Sequence, residues 1–150
     1  MFHNIYFLTY IARSGSTLLA RELDKHPRIG VTIEEDLPDG LLKGKEVMLQ
    51  SEEALDVYLN HIYHDDKFVS WGIPKSRLKD QLMKTNHFPI SYGQILGMIH
   101  WLYFKDDNPD LVVHKKGRYY LTPGEVKKTI PNCGFIFINR DPRAIYNSQK

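Results

Sequence analysis

Phe7-Leu8-Thr9-Tyr10-Ile11-Ala12-Arg13-Ser14-Gly15-Ser16-Thr17-Leu18-Leu19 is the stretch whose reading decides the fold. The apolar, β-branched and aromatic run from Ile5 to Ile11 predicts a buried strand. It breaks into Arg-Ser-Gly-Ser-Thr, after which Leu18, Leu19 and Leu23 recur at helical spacing. Strand, small-residue turn and helix in this order aim several backbone N–H groups and a helix N-terminus at one spot. Such a spot favours an anion, because the unpaired N–H groups and the helix dipole both present positive charge. Gly15 lets the backbone come close to a ligand, and Ser14, Ser16 and Thr17 place hydroxyls at the start of the helix. The expected ligand is a phosphate or sulfate group.

The nucleoside-triphosphate loop requires Gly-x-x-x-x-Gly-Lys-Ser/Thr, in which the lysine reaches the outer phosphates. Laid on this chain, that pattern puts Tyr10 at the first glycine and Ser16 at the lysine. The cation is instead Arg13, on the strand side of the glycine.

A chain of 150 residues with 42% hydrophobic content suits one domain with a real core. A net charge of +2 gives no sign of a general nucleic-acid binder. The charge is unevenly placed: from Val112 to Lys150 there are eight Lys/Arg against two acids, or +6, leaving −4 for the first 111 residues. A basic C-terminal third beside an anion loop suits an anionic ligand. Cys133 is the sole cysteine, so no internal disulfide forms, which fits a reducing compartment. No apolar run approaches the length of a membrane span, and Met1 to Ala12 lacks the basic start and cleavage site of a signal peptide. The expected location is cytoplasmic.

Along the chain, the first helix is expected to end near Lys25-His26-Pro27. Ile29 to Ile33 predicts a second strand with Glu34-Glu35-Asp36 at its carboxyl end, the end at which open α/β sheets bind ligands. Leu37 to Gln50, with Pro38, Gly40 and Gly44, reads as loop. Helices follow from Glu52 to Tyr63, capped by Ser51, and over Lys75 to Lys84. A third opens at the capping box Ser91-Tyr92-Gly93-Gln94. His61, His64, His87 and His100 lack metal-ligand spacing, and no metal site is expected. Leu111 to His114 predicts a short buried strand followed by Lys115-Lys116-Gly117-Arg118. Thr122-Pro123-Gly124-Glu125 has capping-box spacing with proline at the first helical position, opening a helix to about Ile130. Gly134 to Asn139 is apolar nearly throughout, which predicts a central parallel strand. It runs into Arg140-Asp141-Pro142-Arg143 and a helix start containing Ser148. The fold class expected is α/β: a three-layer arrangement like that of P-loop NTPases, with a central parallel sheet flanked by helices.

Taken together, Arg13-Ser14-Gly15-Ser16-Thr17-Leu18-Leu19 after the first strand, and Arg140-Asp141-Pro142-Arg143 with Ser148 after the last, closely resemble the sulfotransferase family. The nearest resemblance is to its tyrosylprotein-sulfotransferase-like and bacterial branch, in which Arg-Ser-Gly-Thr-Thr-Leu is followed by a helix, a His-Pro pair and a glutamate. The resemblance implies that Arg13, Ser14, Gly15, Ser16, Thr17 and Leu18 bind the 5′-phosphosulfate of the donor PAPS (3′-phosphoadenosine-5′-phosphosulfate). It likewise implies that Arg140 and Ser148 bind the 3′-phosphate of PAPS and of the product PAP.

His26-Pro27 places the family's catalytic glutamate at Glu34, with Glu35 as a one-residue alternative. The family's lysine falls at Lys115, with Lys116 next to it. The histidine base of the cytosolic branch would fall on Gly117 or Arg118 and is not expected here. The activity implied is transfer of a sulfuryl group to an acceptor hydroxyl or amine, with Glu34 as base, Arg13 and Lys115 as catalytic cations, and no metal. The acceptor expected is a small molecule or peptide. Its wall would come from Pro38 to Pro109, whose aromatics (Tyr58, Tyr63, Trp71, Phe88, Tyr92, Trp101) suit a phenol, sugar, lipid or peptide alike.

Tyr10 departs from the pattern, standing where many relatives have glycine. The chain also stops at Lys150, just inside the 3′-phosphate helix, as an N-terminal portion or a short member would. Two other classes compete: a P-loop kinase or NTPase with a degenerate loop, and a non-catalytic relative that binds PAP or PAPS.

Overall fold

A computed structural model describes residues 4–43 and 45–149. The first strand, β1, spans Asn4–Thr9, and helix α1 spans Ser16–Asp24. Strand β1 ends two residues earlier than its apolar run, because Tyr10 and Ile11 already belong to the turn. Strand β2 is Ile29–Val31, and a 3-10 turn follows at Leu41–Lys43. Strand β3, Met48–Leu49, lies inside the stretch read as loop. Gly44, assigned to the same loop, lies outside the described residues, as does Lys150.

Helices α2 (Glu52–Ile62), α3 (Asp66–Val69) and α4 (Lys75–Thr85) come next, then strand β4 (Ile90–Ser91) and helix α5 (Tyr92–Tyr103). Strand β5 is Leu111–Lys115, followed by a 3-10 segment at Gly117–Leu121, helix α6 (Pro123–Thr129), strand β6 (Cys133–Phe137) and helix α7 (Pro142–Gln149).

The caps largely follow local chemistry. Ser51 accepts the Ala54 N–H, and Ser91 and Gln94 form a complete capping box. Thr122 was expected to do the same and does not. Its φ of −138° and ψ of 48° place it at the end of the 3-10 segment, with no side-chain cap bond. Pro123 nonetheless takes the first helical position, as its fixed φ favours.

The main sheet has four strands in the order β2-β5-β1-β6, all parallel, flanked by helices. β3 and β4 form a small antiparallel pair of their own. Strand β1 is the one with neighbours on both sides that carries the anion loop. Phe7 pairs with His114 and Phe135, and Leu8 with Lys115 and Ile136. Because side chains alternate along a strand, Phe7 and Leu8 bury on opposite faces, both fully. Ile5 and Phe7 join the core formed by Leu55, Leu59 and Ile62 of α2, Leu78 and Leu82 of α4, and Ile95, Leu96 and Ile99 of α5. Helix α1 packs on β1 and β2.

Strand β6 corrects an expectation. It is parallel but outermost, pairing with β1 alone among the described residues. Its apolarity serves its faces: Phe135 packs on Phe7 at 6.0 Å between ring centroids, while Phe137 at its end is 58% exposed. Apolar composition reports face burial, not lateral pairing.

Parallel strands deliver their carboxyl ends to one edge of the sheet. The Arg13–Thr17 loop, Glu34-Glu35, Lys115-Lys116 and Arg140 therefore all gather there. Phe7→Ala removes a fully buried ring that touches His114, Tyr119 and Phe135. It is expected to cost about 3–5 kcal/mol of stability, read as a lower urea midpoint at an unchanged slope.

Candidate functional site

The turn after β1 is tightly wound. Arg13 has φ 68° and Gly15 φ 100°, both in the left-handed region; glycine adopts this freely, whereas arginine does so only when held there. The hold on Arg13 is visible. Arg140 donates from Nη1 to the Arg13 carbonyl at 2.9 Å, and Arg13 Nε donates to Ser148 Oγ at 2.9 Å and to its carbonyl at 3.2 Å. The two sequence motifs thus meet directly.

Gly15 is the N-cap of α1, with no side-chain cap bond. Leu19 N–H to the Gly15 carbonyl closes the first turn at 3.1 Å, so the amides of Ser16, Thr17 and Leu18 precede it and belong to the open helix end. The Ser14 hydroxyl is buried and has no hydrogen-bond partner among the described residues. Arg13, Gly15, Ser16, Thr17, Arg140 and Ser148 line a cleft of about 250 Å³. The Leu18 side chain is exposed and lines no part of it, so Leu18 offers this cleft only its backbone.

A second cleft, about 510 Å³, adjoins the first through Thr17 and runs past Val31 to Glu34 and Lys115. A third, about 460 Å³, begins on the other side of Glu34, with Tyr10, Ile11, Asp36, Arg118 and Tyr120 in its wall. Thr17 and Glu34 are the joints of this row. Tyr58, Trp71 and Tyr92 are buried in the core instead, so they form no part of a wall beside Glu34; Tyr10 and Tyr120 supply the aromatic surface there.

The members of each adjacent pair part in space, because adjacent residues on a strand or extended segment face opposite ways. Lys115 Nζ lies 3.3 Å from Glu34 Oε2 and 3.4 Å from Thr17 Oγ1, on the face of the anion loop. Lys116 Nζ lies 3.1 Å from both carboxylate oxygens of Glu35, inside the protein on the other face. Glu35 is 1% exposed. It also receives His114 Nε2 at 2.8 Å and the Leu37 N–H.

The interior network then continues in two directions. His114 Nδ1 in turn lies 2.9 Å from His100 Nε2 and 3.3 Å from Thr32 Oγ1. In the other direction, Asp39 accepts from the Tyr119 hydroxyl at 2.6 Å and from the Leu41 N–H at 2.8 Å, with Lys116 at 3.9 Å. Sequence reading missed this network. Its one local trace was the pair of polar residues, His114 and Lys116, spaced two apart at the end of a buried strand.

Burial alone would raise the Glu35 carboxyl pKa. The His114 hydrogen bond and the Lys116 charge outweigh it and hold the group at about 2, against an ordinary 4.5. Among the described residues, no group of three or more His, Cys, Asp or Glu could hold a metal ion. Among them too, no helix is long and apolar enough to cross a membrane.

Fold and site together define an α/β protein whose carboxyl sheet edge brings two arginines and an open helix end to one cleft, beside a glutamate–lysine pair. A family model described as the sulfotransferase family matches residues 7–150, and the chain belongs to that family. No curated protein matches it.

Because the Glu35 carboxyl titrates lower folded than unfolded, its stabilisation is complete above about pH 4.5 and is lost as pH falls toward about 2. The wild-type unfolding free energy is expected to drop across that window. Glu35→Gln should flatten the drop and, near neutrality, cost about 3–5 kcal/mol by leaving the buried Lys116 with only the more distant Asp39, at 3.9 Å, as counter-charge. Urea unfolding at a series of pH values reads both effects.

Proposed function

We propose that this sulfotransferase takes PAPS as donor and passes its sulfuryl group to an acceptor hydroxyl or amine, with Glu34 as the general base. The observation that carries the reading is the convergence of the two motifs. Arg13 and Arg140 touch across 127 positions of sequence and share a cleft with Ser148, one step from the Glu34–Lys115 pair. The donor set suits two separate anionic groups. Open helix amides and the unpartnered Ser14 hydroxyl serve one, and Arg140 with Ser148 the other. The His26-Pro27 pair and the position of Glu34 favour the tyrosylprotein-sulfotransferase-like and bacterial branch.

In the proposed reaction the acceptor oxygen or nitrogen attacks sulfur in line. A bond to sulfur forms as the bond from sulfur to the 5′-phosphate oxygen breaks, and that oxygen keeps the electron pair. Glu34 takes the acceptor's proton. Lys115, Arg13 and the loop amides offset the charge that develops on the departing phosphate.

Isothermal titration with PAP tests the donor site. Binding that needs no added metal, and that weakens about tenfold or more in Arg140→Ala, is expected. Binding of ATP with magnesium but not PAP would overturn the reading, and so would binding of neither. Glu34→Gln is expected to leave PAP affinity in place and slow transfer by about a hundredfold or more.

A further inference from the structure

Tyr10 occupies a position that neither the anion cradle nor the transfer step uses. Its ring lines the third cleft, beside Glu34. Its hydroxyl donates to Glu34 Oε1, while Lys115 approaches Oε2 of the same carboxylate at 3.3 Å. The Lys115 ammonium also lies 5.1 Å from the centre of the Tyr10 ring, within range of a cation–π contact.

The seat of the ring is built from below. A Cβ on Gly117 would stand 3.2 Å from Tyr10 Cζ and 3.3 Å from Cε2, closer than side chains ordinarily pack. The Tyr10 N–H donates to the Gly117 carbonyl at 3.2 Å. Gly117 therefore admits the ring, and Lys115 covers it.

We propose that Tyr10 is the positioning residue for Glu34: its phenol fixes Oε1, so that Oε2 alone turns to Lys115 and the reacting group. A carboxylate on a flexible side chain presents either oxygen and turns freely about its last bond. A donor on one oxygen, fixed to the strand that carries the anion loop, removes that freedom. The second lone pair of Oε2 then remains for the acceptor's proton. The inference rests on Glu34 being the base.

The charged and polar groups facing the phenol are Glu34, Asp36, Lys115 and Ser16. Burial, then the Glu34 hydrogen bond and charge, raise its pKa well above the ordinary tyrosine value. That gives a readout independent of turnover.

The full chain labelled with ¹³Cζ-tyrosine is titrated by NMR from neutral to alkaline pH as wild type, Tyr10→Phe and Glu34→Gln. Tyr10→Phe assigns the resonance by its loss. Glu34 is partly exposed, so Glu34→Gln keeps the fold, which the unshifted signals of the buried Tyr92 and Tyr119 verify. The expected result is a Tyr10 midpoint that falls by about one pH unit or more in Glu34→Gln, since a charged acceptor is lost. A midpoint equal to that of the wild type would show that burial alone sets it and would overturn the proposal. PAP titration of Tyr10→Phe separates the two ideas. PAP binding to neither wild type nor variant refutes the donor reading, whereas an unmoved tyrosine midpoint refutes the role of Tyr10 whether or not PAP binds.

Discussion

Two ion pairs stand back to back between the same two backbone segments. Glu34 meets Lys115 on the outside and Glu35 meets Lys116 on the inside, at 3.3 Å and 3.1 Å. In the outer pair water reaches Glu34, whose side chain is 42% exposed, while Lys115 is largely covered, so the contact is screened more than the inner one. The inner pair is dry, and the desolvation of its charges is offset only because Glu35 also receives His114 and a backbone amide. The β2–β5 ladder sets the spacing of the strands, and the inner pair ties together the segments that leave them. The outer pair joins the same two segments at the junction of the second and third clefts.

Much of this was legible in sequence, for reasons that differ by element. β1 and β5 announced themselves by apolar runs, α2 and α5 by spacing and by Ser51 and Ser91, and the anion loop by its turn composition. The position of β6 was not legible, because Phe135 and Ile136 are apolar for the sake of the faces they cover, and pairing partners leave no mark on composition. The choice between Glu34 and Glu35, or Lys115 and Lys116, was not legible either. A slip of one residue reverses the face, and motif spacing carries an uncertainty of just that size. Tyr10 and Glu34 lie 24 residues apart, on segments whose approach is set by the sheet order, so no local pattern could join them.

The anion loop shows the same dependence from another side. Arg13 adopts a backbone conformation that a non-glycine residue does not hold alone. The contacts that retain it come from Arg140 and Ser148, at the far end of the sequence. Loop geometry and motif convergence are therefore one property, and a change at Arg140 acts on the backbone of the first motif as well as on any ligand held by the second.

The sheet order also dictates when the site can exist. β1 precedes both of its neighbours in the sheet by more than a hundred positions, as the Asn4–Leu111 and Ile5–Cys133 pairings require. Contacts of such separation form slowly, because the intervening chain must be closed before they repay its entropy. At a ribosomal pace of about 5–20 residues per second, β1 waits roughly 5–30 seconds for both partners to be synthesised. Through that interval the apolar surface of Phe7 and Leu8 has no native sheet to join. A strand made well before both of its partners is thus completed only when they arrive, and the yield of folded chain depends on what shields it meanwhile.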